Sequence, residues 1–434
     1  MIKSSEYSKR LRKIIPGGAH TYSRGDDQYP ENAPAILKKG LGCYVWDEDD
    51  RKLLDYGMAL RAVTVGYGYK RIADAAIREI MNGNNLTRPS TIELEAAEKL
   101  VDLFDGLDMV KFAKNGSTVT TAAVKLARAY TGKKYIVRCL DHPFFSYDDW
   151  FIGDTVMDRG IPEEGRQLTL NFKFNDIESL KVLFEKYKDE IACVILEPST
   201  TTEPKDNFLH EVKRICEENN SVFILDEMIT GFRFDLKGAQ HYYNIIPHLA
   251  TFGKGMANGF SVAALVGEKD IMELGGIDDV EQERVFLIST THGAEMSGLG
   301  ALSETIDVYK EIKVTDHLWD YGKKLKTGMN KIAAEFGLSD YFEVVGPHVN
   351  LNYITKNPEK NPDLSFRTLF SQEMINNGVL MPWIAISYSH DEEELKITLD
   401  AVYNSLKTYK AALEDGIDKY LKSRVIKSVF RKKN

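Results

Sequence analysis

Two kinds of hydrophobic patterning alternate along the chain. Short apolar runs, each closed by charge or glycine, are Tyr135-Ile-Val-Arg138, Ile191-Ala-Cys-Val-Ile-Leu196, Val222-Phe-Ile-Leu-Asp226 and Phe260-Ser-Val-Ala-Ala-Leu-Val-Gly267. Runs of this length and composition predict buried strands, and the one closed by Asp226 reads as a parallel strand. Between them lie segments with apolar residues at helical spacing. They are Thr91-Ile-Glu-Leu-Glu-Ala-Ala-Glu-Lys-Leu100, Val119 to Gly132 (Ala122, Ala123, Leu126, Ala127 and Tyr130 recurring) and Val212-Lys-Arg-Ile-Cys-Glu-Glu218. Strand-helix-strand alternation predicts an α/β unit around a mostly parallel sheet.

The flanks read differently. Residues 1–15 predict a short amphipathic helix stopping before Pro16-Gly17-Gly18. Residues 35–56 predict an antiparallel hairpin, with Ala35-Ile-Leu-Lys and Cys43-Tyr-Val-Trp flanking Gly40-Leu-Gly42. Phe286-Leu-Ile-Ser-Thr-Thr-His-Gly293 leads into a small-residue helix from Ala294 onward. From about residue 320 the pattern becomes a smaller α+β unit. It holds a helix from His317 to Phe336, the runs Phe342-Glu-Val-Val and Val349-Asn-Leu-Asn-Tyr-Ile, and a helix after Asp391.

Composition narrows the function classes. The chain has 434 residues, 43% hydrophobic and 28% charged, which suits a soluble globular protein. A net charge of −9 disfavours generic nucleic-acid binding. Cys43, Cys139, Cys193 and Cys216 are scattered and imply neither a disulfide framework nor a zinc site, so a reducing cytoplasm fits. The start lacks the apolar core of a signal peptide, and no apolar run is long enough to span a bilayer. Residues 416–434 carry a net +6 (seven Lys/Arg against Asp418), leaving −15 on the rest. Ile417, Leu421, Val425, Val429 and Phe430 fall on one helical face. A basic amphipathic helix is therefore expected here, touching anionic lipid or an acidic partner, extending into solvent, or docking on the chain's own acidic body.

The candidate chemistry centres on two residues. Asp226 closes a buried strand, and ligand groups in open α/β sheets sit at such carboxyl ends. Lys254 stands alone among small residues in Ala250-Thr-Phe-Gly-Lys-Gly-Met-Ala-Asn-Gly259. An acid at a strand end with a lysine 28 residues on is what a pyridoxal phosphate (PLP) site requires. Gly116-Ser117-Thr118 lies at a helix start, where free N–H groups and the helix dipole favour a phosphate.

Asp226-Glu-Met-Ile-Thr-Gly-Phe-Arg233 with Phe252-Gly-Lys254 resembles the class III PLP-dependent aminotransferases, most of all their glutamate-1-semialdehyde 2,1-aminomutase branch. The similarity runs from about Pro16 to beyond His390. It implies the type I PLP-dependent transferase fold, with a large domain over 65–320 and a small α+β domain built from 1–64 and 321–415; 416–434 remains a basic tail. It implies that Lys254 forms the Schiff base and then acts as general base, and that Asp226 holds the ring nitrogen protonated. Gly116, Ser117 and Thr290 (Thr291 being the near alternative) would hold the phosphate, and Met228 would lie under the ring. Phe144 would stack on the ring, although ungapped counting gives Pro143. Glu197 matches a family strand-end acid. Arg24, closing Pro16-Gly-Gly-Ala-His-Thr-Tyr-Ser-Arg, matches an arginine that grips a substrate carboxylate. In the family the threonine of the 286–293 loop reaches the partner's phosphate, so the resemblance implies a homodimer with a shared active site.

The chain also departs from that branch. Ala59-Leu60-Arg61-Ala62 replaces a Ser-Trp-Gly-Pro stretch, Asn115 and Thr118 replace a serine and a glutamate, and Pro382 stands where an acid is expected. A gained Arg61 suits a second anionic group on the substrate. These changes favour an aminotransferase on a small, anionic amino/keto or sugar-derived substrate over the aminomutase. A non-catalytic PLP-fold binding protein is the third reading, and retention of both Lys254 and Asp226 speaks against it. No P-loop or dinucleotide-binding pattern is present.

Overall fold

The computed structural model describes residues 4–293 and 295–434. Two compact units divide the chain. One takes the residues up to Tyr69 with Asp316–Asn434, the other Lys70–Thr315.

In the first unit a helix covers Ser4–Ile14, residues 1–3 of the expected helix lying outside the described residues. It stops before Gly17 and Gly18, whose φ of +76° and +75° glycine adopts without a Cβ penalty. β1 (Leu37–Leu41), β2 (Tyr44–Asp47) and β3 (Lys52–Asp55) then form an antiparallel meander. The expected hairpin gains its third strand because Asp47 turns the chain back, accepting the N–H groups of Asp49 (3.0 Å) and Arg51 (2.8 Å).

After β3 comes a turn that the hydrophobic pattern does not foreshadow. Met58, Ala59, Leu60 and Arg61 take φ of +38°, +49°, +63° and +66°, one left-handed turn made without glycine. At about 1–2 kcal/mol per L-residue, the turn stores roughly 4–8 kcal/mol of backbone strain.

In the second unit seven strands form one sheet: β4 (Met109–Ala113), β5 (Tyr135–Cys139), β6 (Thr169–Phe172), β7 (Ile191–Leu196), β8 (Val222–Asp226), β9 (Leu249–Phe252) and β10 (Ala263–Gly267). Their order is β4-β10-β9-β8-β7-β5-β6. The run from β9 to β6 is parallel, and β10 is antiparallel to both its neighbours. Every residue of β7 to β10 is buried, which is why these strands show no in-out alternation. The helix Phe208–Glu218 crosses from β7 to β8 and buries Val212, Ile215 and Cys216 in the core that holds Phe223 and Leu225.

The helix Gly116–Thr131 opens on the Asn115 cap and ends at Gly132, where φ is +69°. Helix Met296–Ile312 packs on Lys70–Met81. A Cβ on Gly300 would come within 2.8 Å of Glu79 Cγ, so glycine permits that approach. The expected start of this helix, Ala294, lies outside the described residues.

The first unit resumes with β11 (Phe342–Val345) paired to β12 (Asn352–Thr355), and with β13 (Val379–Leu380), which joins β3 in parallel. A capping box of Asp391 and Glu394 opens the helix Glu392–Asp415.

The tail differs from the expected amphipathic helix. Beyond a short turn at Ile417–Lys419 it is irregular and extended, and the acidic Asp26-Asp27 segment captures it. Arg431 pairs with Asp27 at 2.6 Å, Lys427 N–H donates to Asp27 O at 2.9 Å, and Arg424 donates to Asp26 O at 2.5 Å. Gln372 Oε1 accepts the N–H groups of Lys422 and Ser423. The single basic apolar face needed to lie on a lipid surface is therefore not assembled.

Candidate active site

Asp226 ends β8 and is only 2% exposed. Its Oδ1 accepts the N–H of Met228 (3.0 Å) and the hydroxyl of Thr251 (3.1 Å), the residue opposite it on β9. Burial pushes its pKa up to about 6. The Met228 N–H, the Lys254 charge and the Thr251 hydroxyl act against that rise without cancelling it. A carboxylate this deep is ionised at neutral pH only at a cost, which a cationic group held against it would offset.

Lys254 follows β9 across Gly253 and starts a short 3-10 turn, Lys254–Ala257. Its φ is +47°, a strained position of the kind that clusters at functional sites. Next to Asp226, Glu227 is buried and pushed up to about 7, chiefly by burial. It accepts the Thr230 hydroxyl and the N–H groups of Ala239 (2.9 Å) and Gln240 (2.6 Å), which anchors the loop after β8.

Met228 lies between two glycines. A Cβ on Gly116 would sit 2.9 Å from Met228 Sδ, and one on Gly253 would sit 2.7 Å from it. The Met228 side chain therefore joins the start of the Gly116–Thr131 helix to the residue before Lys254. Neither glycine has room for a larger residue unless this thioether moves.

At that helix start Asn115 Oδ1 accepts both the N–H (3.0 Å) and the hydroxyl (3.1 Å) of Thr118. The two positions that depart from the family pattern thus pair as a cap. Ser117 is 5% exposed, and its Oγ accepts the N–H of Tyr147 (3.1 Å), which leaves its hydroxyl proton to donate elsewhere. Thr290 lines a cleft with Tyr147 and with Thr118, Thr121 and Lys125 of the same helix. The carbonyl of Thr291 accepts from Asn85 Nδ2 at 3.0 Å.

Phe144 is 46% exposed and meets Phe151 edge-on at 5.5 Å, whereas Phe145 is 2% exposed and packed in the core. Of the two, Phe144 is the ring open to a ligand. His142 is buried, and its Nδ1 accepts the N–H of Glu197 (3.0 Å). Burial, and then the Arg138 charge, lower its pKa to about 3, so it is a neutral support for the end of β7.

Arg24 and Arg61 belong to the other unit. Arg24 closes the turn Tyr22–Arg24, and its charge lowers the pKa of the Tyr29 and Tyr67 phenols against the stronger upward push of burial. Arg61 closes the left-handed turn. Pro382 lies against that turn, its Cγ 3.7 Å from a Cβ placed on Gly57, and Trp383 Nε1 donates to Gly57 O at 3.1 Å. Arg367, on a nearby helix, sits 4.1 Å over the Tyr353 ring and donates to the carbonyls of Tyr353 and Pro382, so it is structural.

These residues can hold a flat, phosphorylated, cationic group. A buried acid suits a protonated ring nitrogen, a capped helix start with a free hydroxyl proton suits a phosphate, and the lysine beside them suits covalent capture. Sequence reasoning missed Thr251, the glycine cradle around Met228 and the Asn115–Thr118 cap. Only the cap had a sequence signal, an Asn before a helical run. Among the described residues no acid, histidine or cysteine cluster could hold a metal ion, and no helix is long and apolar enough to cross a membrane.

The pattern of the family described as aminotransferase class-III matches residues 26–158 and 160–347. A glutamate-1-semialdehyde 2,1-aminomutase of Francisella philomiragia is 30% identical over 423 residues, covering 92% of this chain and 96% of the relative. A 3-aminobutyryl-CoA aminotransferase of Cloacimonas acidaminovorans is 30% identical over 424 residues, covering 95% of this chain and 99% of that one. The solved FumI protein of Sphingopyxis sp. MTA144, which carries PLP, is 24% identical and superposes with a TM-score of 0.86, covering 95% of this chain and 97% of that one.

Proposed function

The chain belongs to the class III aminotransferases and its cofactor is pyridoxal phosphate, and we propose that it is an aminotransferase for a small anionic amino or keto substrate, with Lys254 as covalent anchor and proton carrier. The observation that carries this reading is the buried Asp226 carboxylate within the field of Lys254. When bound, the cofactor supplies an electron sink for the bond broken at the substrate carbon. Asp226 would hold the proton on the ring nitrogen, with Thr251 and the Met228 N–H keeping Oδ1 in place. The Ser117 hydroxyl and the first N–H groups of its helix would hold the phosphate, Thr290 would add a donor to the phosphate bound by a second copy of the chain, Met228 would fill the space under the ring and Phe144 would cover it. The Lys254 amine, freed once substrate arrives, would take the proton from the substrate carbon and return it. Arg24 and Arg61 would bind the substrate's anionic groups through paired hydrogen bonds.

The resemblance and one structural feature support a homodimer sharing this site. Ile77, Ile80 and Met81 on one helix are 55%, 51% and 81% exposed, an apolar surface that suits a second copy. All four cysteines are free and buried, which fits a reducing compartment such as the cytoplasm.

The second reading is an intramolecular aminomutase, favoured by the relatives of that name. Incubating the PLP-loaded protein with L-glutamate separates the two. Release of 2-oxoglutarate with loss of the lysine-bound absorbance supports the aminotransferase. An unchanged spectrum with every amino donor, together with isomerisation of glutamate-1-semialdehyde, supports the aminomutase.

A further inference from the structure

The left-handed turn at residues 58–61 is held by two side chains outside it. Asp55, at the end of β3, is buried and accepts the N–H of Gly57 on Oδ1 (2.7 Å) and that of Met58 on Oδ2 (3.0 Å). The same Oδ2 accepts the hydroxyl of Tyr67 (2.7 Å), and the Tyr67 oxygen accepts the N–H of Ala59 (2.8 Å). Three successive backbone donors entering the turn are thus taken by one carboxylate-phenol pair. Tyr67 is itself pinned, its N–H donating to Gly42 O (2.7 Å) and its carbonyl accepting the Gly42 N–H (2.9 Å). On the far side Trp383 holds Gly57 O.

Left to itself, a turn of four L-residues would relax to a right-handed conformation, and the direction of its last residue would change with it. That last residue is Arg61. The charge of Arg24 reaches the same Tyr67 phenol and lowers its pKa against the stronger push of burial, so the first arginine is within electrostatic range of the hub that holds the turn ending in the second.

We propose that Asp55 and Tyr67 are a positioning pair that fixes the direction of Arg61, and that Arg61 so held, together with Arg24, selects substrates with two anionic groups. This rests on the reading that Arg24 and Arg61 bind substrate. The role assigned to the hub is an indirect one. It acts through the direction in which Arg61 leaves the turn.

The test is calorimetric binding to the PLP-loaded protein of glutarate (two carboxylates), 3-phosphonopropanoate (a carboxylate and a phosphonate) and butyrate (one carboxylate). Arg61→Ala should weaken the two-anion ligands tenfold or more and leave butyrate within twofold. Tyr67→Phe, which keeps the ring and removes the hydroxyl, should reproduce that selective loss. Adding Ala59→Gly and Leu60→Gly to Tyr67→Phe should restore most of the lost affinity, because glycine holds positive φ without help. A purely structural role for Tyr67 would weaken all three ligands alike and would not be rescued. Selective loss in Arg61→Ala with full two-anion binding in Tyr67→Phe would overturn the positioning role and leave the substrate reading standing. No selective effect in Arg61→Ala would overturn the substrate reading itself. If Tyr67→Phe does not fold, the triple variant stands alone, and near-native glutarate binding in it supports the proposal whereas loss contradicts it. The tighter of glutarate and 3-phosphonopropanoate tells a dicarboxylate from a phosphorylated substrate.

Discussion

Replacing Asp226 by Asn should stabilise the cofactor-free protein while destroying its activity. In the folded chain burial moves the Asp226 pKa from 3.8 to about 6. At about 1.36 kcal/mol per pH unit, keeping the group ionised costs on the order of 3 kcal/mol. A folded pKa above the unfolded one means that the group's stabilising contribution is complete below about pH 4 and is lost as pH rises through about 6. Asn carries no such penalty and can still accept from Met228 N–H and Thr251 through its carbonyl oxygen. Asp226→Asn should therefore exceed the wild type by roughly 1–3 kcal/mol at pH 8, the range allowing for weaker hydrogen bonds, and match it near pH 4. Urea unfolding of both cofactor-free proteins across that range measures the difference. With PLP bound the order should reverse, because the ring cation then has no counter-charge, and turnover should fall at least a hundredfold. A variant that is less stable than the wild type by the same amount at pH 4 and pH 8 would refute the argument. It would mean that Asp226 is not held against its charge by burial.

Further consequences follow from particular contacts. Gly253→Ala should drive Met228 out of its cradle and weaken PLP binding about tenfold, and adding Met228→Ala should recover part of the loss; fluorescence titration of the cofactor reads both. Deleting residues 420–434 should cost about 1–2 kcal/mol, since surface ion pairs are worth up to about 1 kcal/mol each and Arg424 and Arg431 supply several. The difference should shrink in 1 M salt, where the screening length falls to about 3 Å, and thermal melts at two salt concentrations would show it. Ala59→Gly and Leu60→Gly should each stabilise the otherwise intact protein by about 1 kcal/mol, because their φ values are positive and the native hub stays in place. Destabilisation by both would mean that the turn is not strained.

Much of the large unit was legible because its strands are buried on both faces. An apolar run that ends in Asp226 has few other places to go, and the Gly-rich setting of Lys254 stands out from the same pattern. Strand direction was not legible. β10 is as apolar as the mutually parallel strands β7 to β9, and only the register Ala264↔Phe252 and Ala263↔Ala113 shows that it runs backwards. The left-handed turn was invisible because no glycine marks it; its cause is a hydrogen-bonded pair, Asp55 and Tyr67, twelve residues apart. The tail misled for a similar reason. Its apolar spacing fits a helix, yet Val425, Ile426 and Val429 are poor helix formers, and Asp26 and Asp27 capture its arginines from the far end of the sequence. Local pattern reports local preference, and in these places a distant side chain decided the outcome.

All the proposed chemistry runs through Lys254 as the cofactor's covalent anchor. Borohydride reduction of the PLP-loaded protein, followed by peptide mass spectrometry, locates that bond. One pyridoxyl adduct is expected, on the peptide containing Lys254, and none in Lys254→Ala that still binds PLP. An adduct on another lysine, or none in the wild type, would contradict it.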